Sequence, residues 1–343
     1  MLLKELPSKM PDIPILLILI IGIAIVFDYT NGVHDSANAI ATIVSTKVVS
    51  PVQAVTMAAV LNLIGAFIGT HVASTIGTGI VNPEVIAGCR PLILAALLGA
   101  ILWNLITWYL GLPSSSSHAL IGGLIGAAVA YKGWDSLQFS SIAEKVIIPL
   151  FFSPLAGFIG GYLLMLALAW ITCKLNPRKM NRMFRRLQVI ASAFMALSHG
   201  SNDGQKTMGI ITLALFLFNM IPTIEVPFWV KLICALAMAI GTANGGWKII
   251  KTMGKKIFKM EPIHGFAAET SSSLVIVAAS VLGAPISTTH VFSSSILGVG
   301  SSKRFSAVKW GVAGQMVVAW VLTLPASAVV GAICFYVIQL FIG

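Results

Sequence analysis

Chemistry can be read first from two aspartates set in apolar sequence, Asp35 and Asp203. Each lies in a short polar run, Asn31-Gly-Val-His-Asp-Ser-Ala-Asn38 and His199-Gly-Ser-Asn-Asp-Gly-Gln-Lys206, and the runs align at an offset of 168 residues, from Asn31 to His199. A carboxylate at membrane depth is costly and is by default functional. The alternative is a structural carboxylate capping a restarted helix. Asn31, Asn38 and Asn202 offer either carbonyl oxygens to a cation or amide hydrogens to an oxyanion. Lys206 stands where the first run has Asn38, and it can neutralise an anion, replace a bound cation or hold Asp203 in place. Glu269 faces the same choice between partner and structural group. Asp28, at the start of the first run, is the weaker candidate.

A second duplicated feature is an octet rich in hydroxyls. Gly111-Leu-Pro-Ser-Ser-Ser-Ser-His118 returns as Gly283-Ala-Pro-Ile-Ser-Thr-Thr-His290, at an offset of 172 residues, from Gly111 to Gly283. Proline removes a backbone donor and biases the preceding residue away from helix. A new helix starting after such a tip presents free amides and hydroxyls, which suit an anion. One copy alone reads equally well as a Ser-rich turn; two copies between apolar arms read as a site.

These residues need elements to hold them, and the composition says which. The chain is 57% hydrophobic and 10% charged, with mean hydropathy +0.93, as in a polytopic membrane protein. The net charge of +11 comes from basic residues in short connections, so it reads as cytoplasmic placement of those loops and not as nucleic-acid binding. The scattered Cys89, Cys173, Cys234 and Cys334 fit no metal or disulfide framework. The N-terminal apolar run resembles a signal peptide but lacks a small-residue cleavage site, and is expected to be a retained span.

The expected fold is all-α, built from two inverted-topology repeats at 1–173 and 187–343 joined by a basic cytoplasmic junction at 174–186. Each repeat should carry a helix broken at its polar run (13–46 and 187–218) and a hairpin bearing the tip (91–131 and 265–300). Counting crossings from the junction makes the repeats inverted, which brings the two hairpin tips face to face. That plan is known among secondary transporters.

On Asn31-Gly-x-His-Asp-x-x-Asn-Ala39, the paired Gly-x-Pro-x-Ser-x-x-His tips and Ser198-His-Gly-x-Asn-Asp203, the whole chain resembles the inorganic phosphate transporter (Pit) family, most of all its bacterial low-affinity branch. The resemblance implies a carrier that imports inorganic phosphate across the cell inner membrane, not an enzyme. It implies that Asp35, Asp203, Glu269, His199 and the tip residues Ser115 and Ser287 are functional, with phosphate between the tips. Around them the expected phosphate seat is Ser115, Ser116, Ser117, Ser287, Thr288 and Thr289 with Asn38, Asn202, Gln205 and Lys206. The expected coupling-ion set is Asp35, Asp203, Asn31, His34, His199, Glu269 and Asn62, with Na⁺ at Asp35 and Asp203 as one form. The sequence departs from the family pattern at His34 and Lys206, each in place of an Asn, and at Asn62, where many sodium-coupled members carry a glutamate. Those departures favour a proton, or a divalent metal complexed with phosphate and carried with one, over sodium.

No organic cofactor is expected. The expected partners are phosphate and the lipid bilayer, with homodimerisation open, and both termini are expected to be extracytoplasmic. The rival readings are a carrier of another oxyanion, such as sulfate or a carboxylate, and a membrane hydrolase using Ser117, His118 and Asp35. The hydrolase reading lacks a Gly-x-Ser-x-Gly elbow.

Overall fold

The computed structural model describes residues 14–78, 80–81 and 83–342. The expected start of the first span at Ile13, and the sides on which the chain ends lie, fall outside the described residues.

Among the described residues there is no strand, only an isolated bridge between Val81 and Leu137. The helices run α1 (Ile15–Ser45), α2 (Pro51–Gly65), α3 (His71–Thr78), α4 (Pro83–Gly88), α5 (Pro91–Leu110), α6 (Ser116–Lys132), α7 (Phe139–Ile142) and α8 (Ile148–Thr172). They continue with α9 (Pro177–Leu217), α10 (Phe228–Asn244), α11 (Trp247–Lys251), α12 (Pro262–Val281), α13 (Thr288–Lys303) and α14 (Trp310–Ile342). Four stretches are long and apolar enough to cross a membrane: α1, α5, α7 with α8, and α14. A fifth is formed if α10 and the helix after it count as one span bent by 57°. Large apolar side chains stand exposed along α8 and α14, among them Phe151, Leu163, Trp170, Val321, Ile333 and Leu340. Such faces suit lipid.

The two halves interleave. α1 packs along α10 and α9 along α2, while α6 lies on α14 and α13 on α8. Each half therefore supplies the partner of the other half's long helix and of its tip helix. The contacts are close because glycines line them. A Cβ on Gly32 would sit 2.3 Å from the Met238 carbonyl oxygen, and one on Gly200 would sit 2.3 Å from that of Asn62. Small residues at such crossings let backbones meet without a hydrophobic driving force.

These glycines correct one expectation. α1 and α9 are uninterrupted helices of 31 and 41 residues, with no break at either polar run. Asp28, Asn31, His34, Asp35 and Asn38 of α1 and the polar side chains of 198–207 in α9 are buried inside the bundle. The helical backbone satisfies itself while its side chains find partners inside the bundle, so the helix need not unwind. Gly32 and Gly200 serve helix packing.

The basic junction is also not a loop for most of its length. Asn176 caps α9, accepting the Arg178 amide at 2.9 Å. Pro177 occupies the first helical position, so Arg178 to Arg186 form the opening turns of the second long helix.

Candidate functional site

α1 and α9 run antiparallel, and their polar residues meet in rungs. Asp28 faces Thr207 at 2.9 Å. Asp35 meets Asp203 and His199, whose ligand atoms with those of Asp35 all lie within 4.8 Å of one another. Thr42 and Ser192 both reach Glu269 of α12. Residues 28, 35 and 42 are seven apart and share one face of α1, so successive rungs lie about 10 Å apart along the helix.

The tips close on the middle rung from both hairpins. Gly111 and Gly283 turn the chain with φ of 68° and 66°, a conformation that costs glycine nothing. Ser115 and Ser287 then cap α6 and α13, each accepting the amide three residues on, at 3.2 Å. The next hydroxyls reach the acids. Ser116 Oγ lies 2.6 Å from Asp35 Oδ2 and 2.7 Å from Asn31 Oδ1. Thr289 donates to Asp35 Oδ1 at 3.0 Å, and Thr288 to Asp203 Oδ2 at 2.7 Å. Asn38 donates to Thr289 at 3.0 Å and to Thr288 at 3.3 Å. Just inside the tips the rings of His118 and His290 sit 5.0 Å apart, and His290 stacks on Trp320 at 4.5 Å.

The two aspartates are held differently. Asp203 pairs with the Lys206 ammonium, and His199 Nε2 lies 3.0 Å from its other oxygen. Lys206 also donates to Ser117 and, at 3.2 Å, to the Ile286 carbonyl, so it joins both tips. Asp35 has no lysine. Its partners are hydroxyls and His34 Nδ1 at 2.8 Å. Around it Asn38 Oδ1 and Asn31 Nδ2 are both buried without a partner, and Ser116 has one hydrogen for two oxygens.

Several residues expected in the phosphate seat lie elsewhere or do other work. Gln205 ties the α2–α3 bend, accepting the Val72 amide at 2.9 Å and donating to the Ile68 carbonyl at 3.0 Å. Its amide is used up by backbone groups that the bend leaves open. Asn202 turns to Ser280 of α12 at 2.9 Å, one helix away from the tip hydroxyls. Ser115 and Ser287 spend their oxygens as caps. Ser117 is engaged by Lys206 and by the Ile286 carbonyl, and is not bonded to His118.

Within the coupling-ion set, Asn62 supports the site from behind. Its Oδ1 lies 3.2 Å from His199 Nδ1 and its Nδ2 donates to Thr242 at 3.0 Å. Glu269 lies a rung away from the aspartates. Residues that went unnoticed are Thr107 and Ser114, each 3.2 Å from His34 Nε2, and the Glu269 donors Thr42 and Ser192. The seven-residue spacing of Thr42 from Asp35 and of Ser192 from His199 is the signal that points to the last two.

A bundle with lipid-facing flanks, whose buried acids gather under two hairpin tips, is a polytopic membrane protein. The profile of the Phosphate transporter family matches the chain twice, over residues 31–178 and 173–331. The chain is 47% identical over 327 residues to a protein of Rhizobium meliloti (strain 1021) called "Probable low-affinity inorganic phosphate transporter", covering 95% of this chain and 97% of that one. It is 48% identical to a protein of the same description from Bacillus subtilis (strain 168), covering 95% of this chain and 98% of the relative. A solved structure described as "The sodium-dependent phosphate transporter" shares the fold with a TM-score of 0.80 at 24% identity, covering 95% of this chain and 99% of that chain. The chain belongs to the phosphate transporter family.

Proposed function

We propose that this protein is a secondary transporter that imports inorganic phosphate across the cytoplasmic membrane by alternating access, with a cation bound at Asp35. The observation that carries the reading is the meeting of two tips, one from each half, over a pair of buried aspartates. Ser116, Thr288 and Thr289 are donors that the carboxylates hold in this state. A phosphate arriving between the tips would take those hydroxyls together with the first amides of α6 and α13, which have no partner within their own helices. A cation at Asp35 would replace the hydroxyls that the carboxylate gives up, and would reduce the cost of moving the anion through a dry site.

The antiparallel course of α1 and α9, which carry equivalent polar runs, supports the inverted-repeat plan. In that plan the basic start of α9 faces the cytoplasm, and the two tips open to opposite sides of the membrane. Lys206 occupies at Asp203 the place that a second cation would take. That favours a single mobile cation, either a proton, alone or with a metal–phosphate complex, or Na⁺ at Asp35.

The test is labelled phosphate uptake into proteoliposomes with sodium and proton gradients imposed separately, and with unlabelled sulfate or succinate as competitor. The expected result is accumulation driven by one of the two gradients and blocked by phosphate alone. Uptake indifferent to both gradients, or blocked equally by sulfate, overturns the reading.

A further inference from the structure

The rungs between α1 and α9 extend on both sides of the aspartate pair. On one side lies Glu269 with Thr42 and Ser192. On the other lies Asp28, fully buried in an apolar cluster, and none of the roles described so far uses it. Thr207 donates to Asp28 Oδ1 at 2.9 Å, while Oδ2 has no partner. The Cys234 thiol of α10 lies against the same carboxyl. The charged and titratable groups facing it are Asp203 and Lys206 of α9 and Cys234 of α10. The one titratable side chain of α5, packed along the same helix, is Tyr109 at its far end.

The other half shows what this rung looks like without chemistry. At the offset of the polar runs, Asp28 and Thr207 correspond to Ala196 and Ala39. Because Gly32 meets Met238 as Gly200 meets Asn62, Cys234 corresponds to Ala58. All three alanines are fully buried. The fold therefore packs this level well with methyl groups, and a carboxyl here adds cost without a packing need.

The donor set says what it would bind. A hard metal cation takes roughly six oxygens, whereas the rung offers one carboxyl, one hydroxyl and a thiol. A proton needs only the open oxygen. A polar cavity of about 350 Å³, lined by Gly209 and Thr212 with Thr70, His71, Glu225 and Lys231, lies on the face of α9 turned away from Thr207.

We propose that Asp28, held by Thr207, is a proton-binding site of the coupling pathway, one rung from the Asp35–Asp203 centre. The proton passes from a hydronium ion to Oδ2, one O–H bond breaking as the other forms, and on release it is handed back to a water molecule by the reverse step. The proposal rests on the phosphate-carrier reading and adds to it the place where the accompanying proton is taken up.

The test uses the full-length protein in proteoliposomes with labelled inorganic phosphate as probe and a lumenal pH dye. Phosphate–phosphate exchange without a gradient is compared with net uptake driven by a pH gradient. The expected result is that Asp28→Asn and Thr207→Val lose gradient-driven uptake and the proton entry that goes with it, while exchange persists. Asp28→Glu, which keeps an ionisable carboxyl, should retain both. Gradient-driven uptake with protons in Asp28→Asn overturns the proposal. So does a parallel loss of exchange and net uptake in the Asn, Val and Glu variants, which makes the rung structural. Absence of phosphate exchange in the unaltered protein refutes the phosphate reading itself, and the proposal falls with it.

Discussion

Asp35 and Asp203 stand at equivalent positions in the two halves, yet one carries its cation permanently and the other does not. Lys206 satisfies Asp203 from the next turn of its own helix. At Asp35 the corresponding residue is Asn38, which bonds to the tip threonines instead. Two equivalent carboxylates are thus held in two ways, one in a fixed charge pair and the other among hydroxyls and an imidazole. Duplication supplies the shared geometry, and the residues that differ between the copies set the partners of each acid.

The largest expected effect comes from removing the two carboxylates one at a time. Asp203→Asn leaves the Lys206 ammonium buried without its partner, which typically costs about 3–5 kcal/mol. The purified variant should unfold at markedly lower temperature in detergent. Asp35→Asn leaves the Lys206–Asp203 pair intact and should melt above Asp203→Asn, yet it should lose cation-driven phosphate uptake. Equal melting of the two variants would break the comparison.

A middle-sized effect is expected at Lys206. Lys206→Asn makes the second site resemble the first, with Asp203 facing an amide and the tip hydroxyls. Uptake should become more sensitive to sodium and should change its pH optimum, while phosphate binding persists. Sodium-titrated uptake and thermal stability, measured on the same preparation, decide it. A variant as unstable as Asp203→Asn shows that the pair only props the bundle. A stable variant with unaltered ion dependence shows that the ammonium stands in for no cation.

Much of this arrangement was legible in the sequence, and the misses share a cause. The offset between the polar runs and the offset between the tips identify the pairs Asp35/Asp203 and Ser115/Ser287 directly. Spacing cannot tell where a side chain turns once packed. Gln205 sits between Asn202 and Lys206 in the chain, but it faces the α2–α3 bend because helix geometry carries neighbouring residues to different faces. The polar runs suggested broken helices because an unbroken helix of that length exceeds the hydrocarbon thickness, and the polar cluster around Gly32 offered the break. In the bundle the same cluster meets polar partners from the other half, and those partners are distant in sequence. Glu269 was legible as a buried acid, while its position one rung from the aspartates depends on the α12–α9 contact.

The smallest effects lie at the tips, where the comparison can be sharpened residue by residue. Ser115 and Ser287 cap their helices, whereas Ser116 and Thr289 touch Asp35. Loss of a cap typically costs about 0.5–2 kcal/mol, and asparagine or aspartate restores it. Ser115→Ala and Ser287→Ala should therefore lower the melting temperature slightly and leave phosphate affinity nearly intact, with Ser115→Asn recovering stability. A hydrogen bond to a charged group contributes roughly 1.5–3 kcal/mol, so Ser116→Ala and Thr289→Val should weaken binding in the range of tenfold to a hundredfold with little change in melting. Binding titrations and melting curves on the four alanine and valine variants separate the two patterns. If Ser115→Ala and Ser287→Ala weaken phosphate binding as much as Ser116→Ala does, the caps themselves face the anion, and the seat lies one residue earlier on each tip.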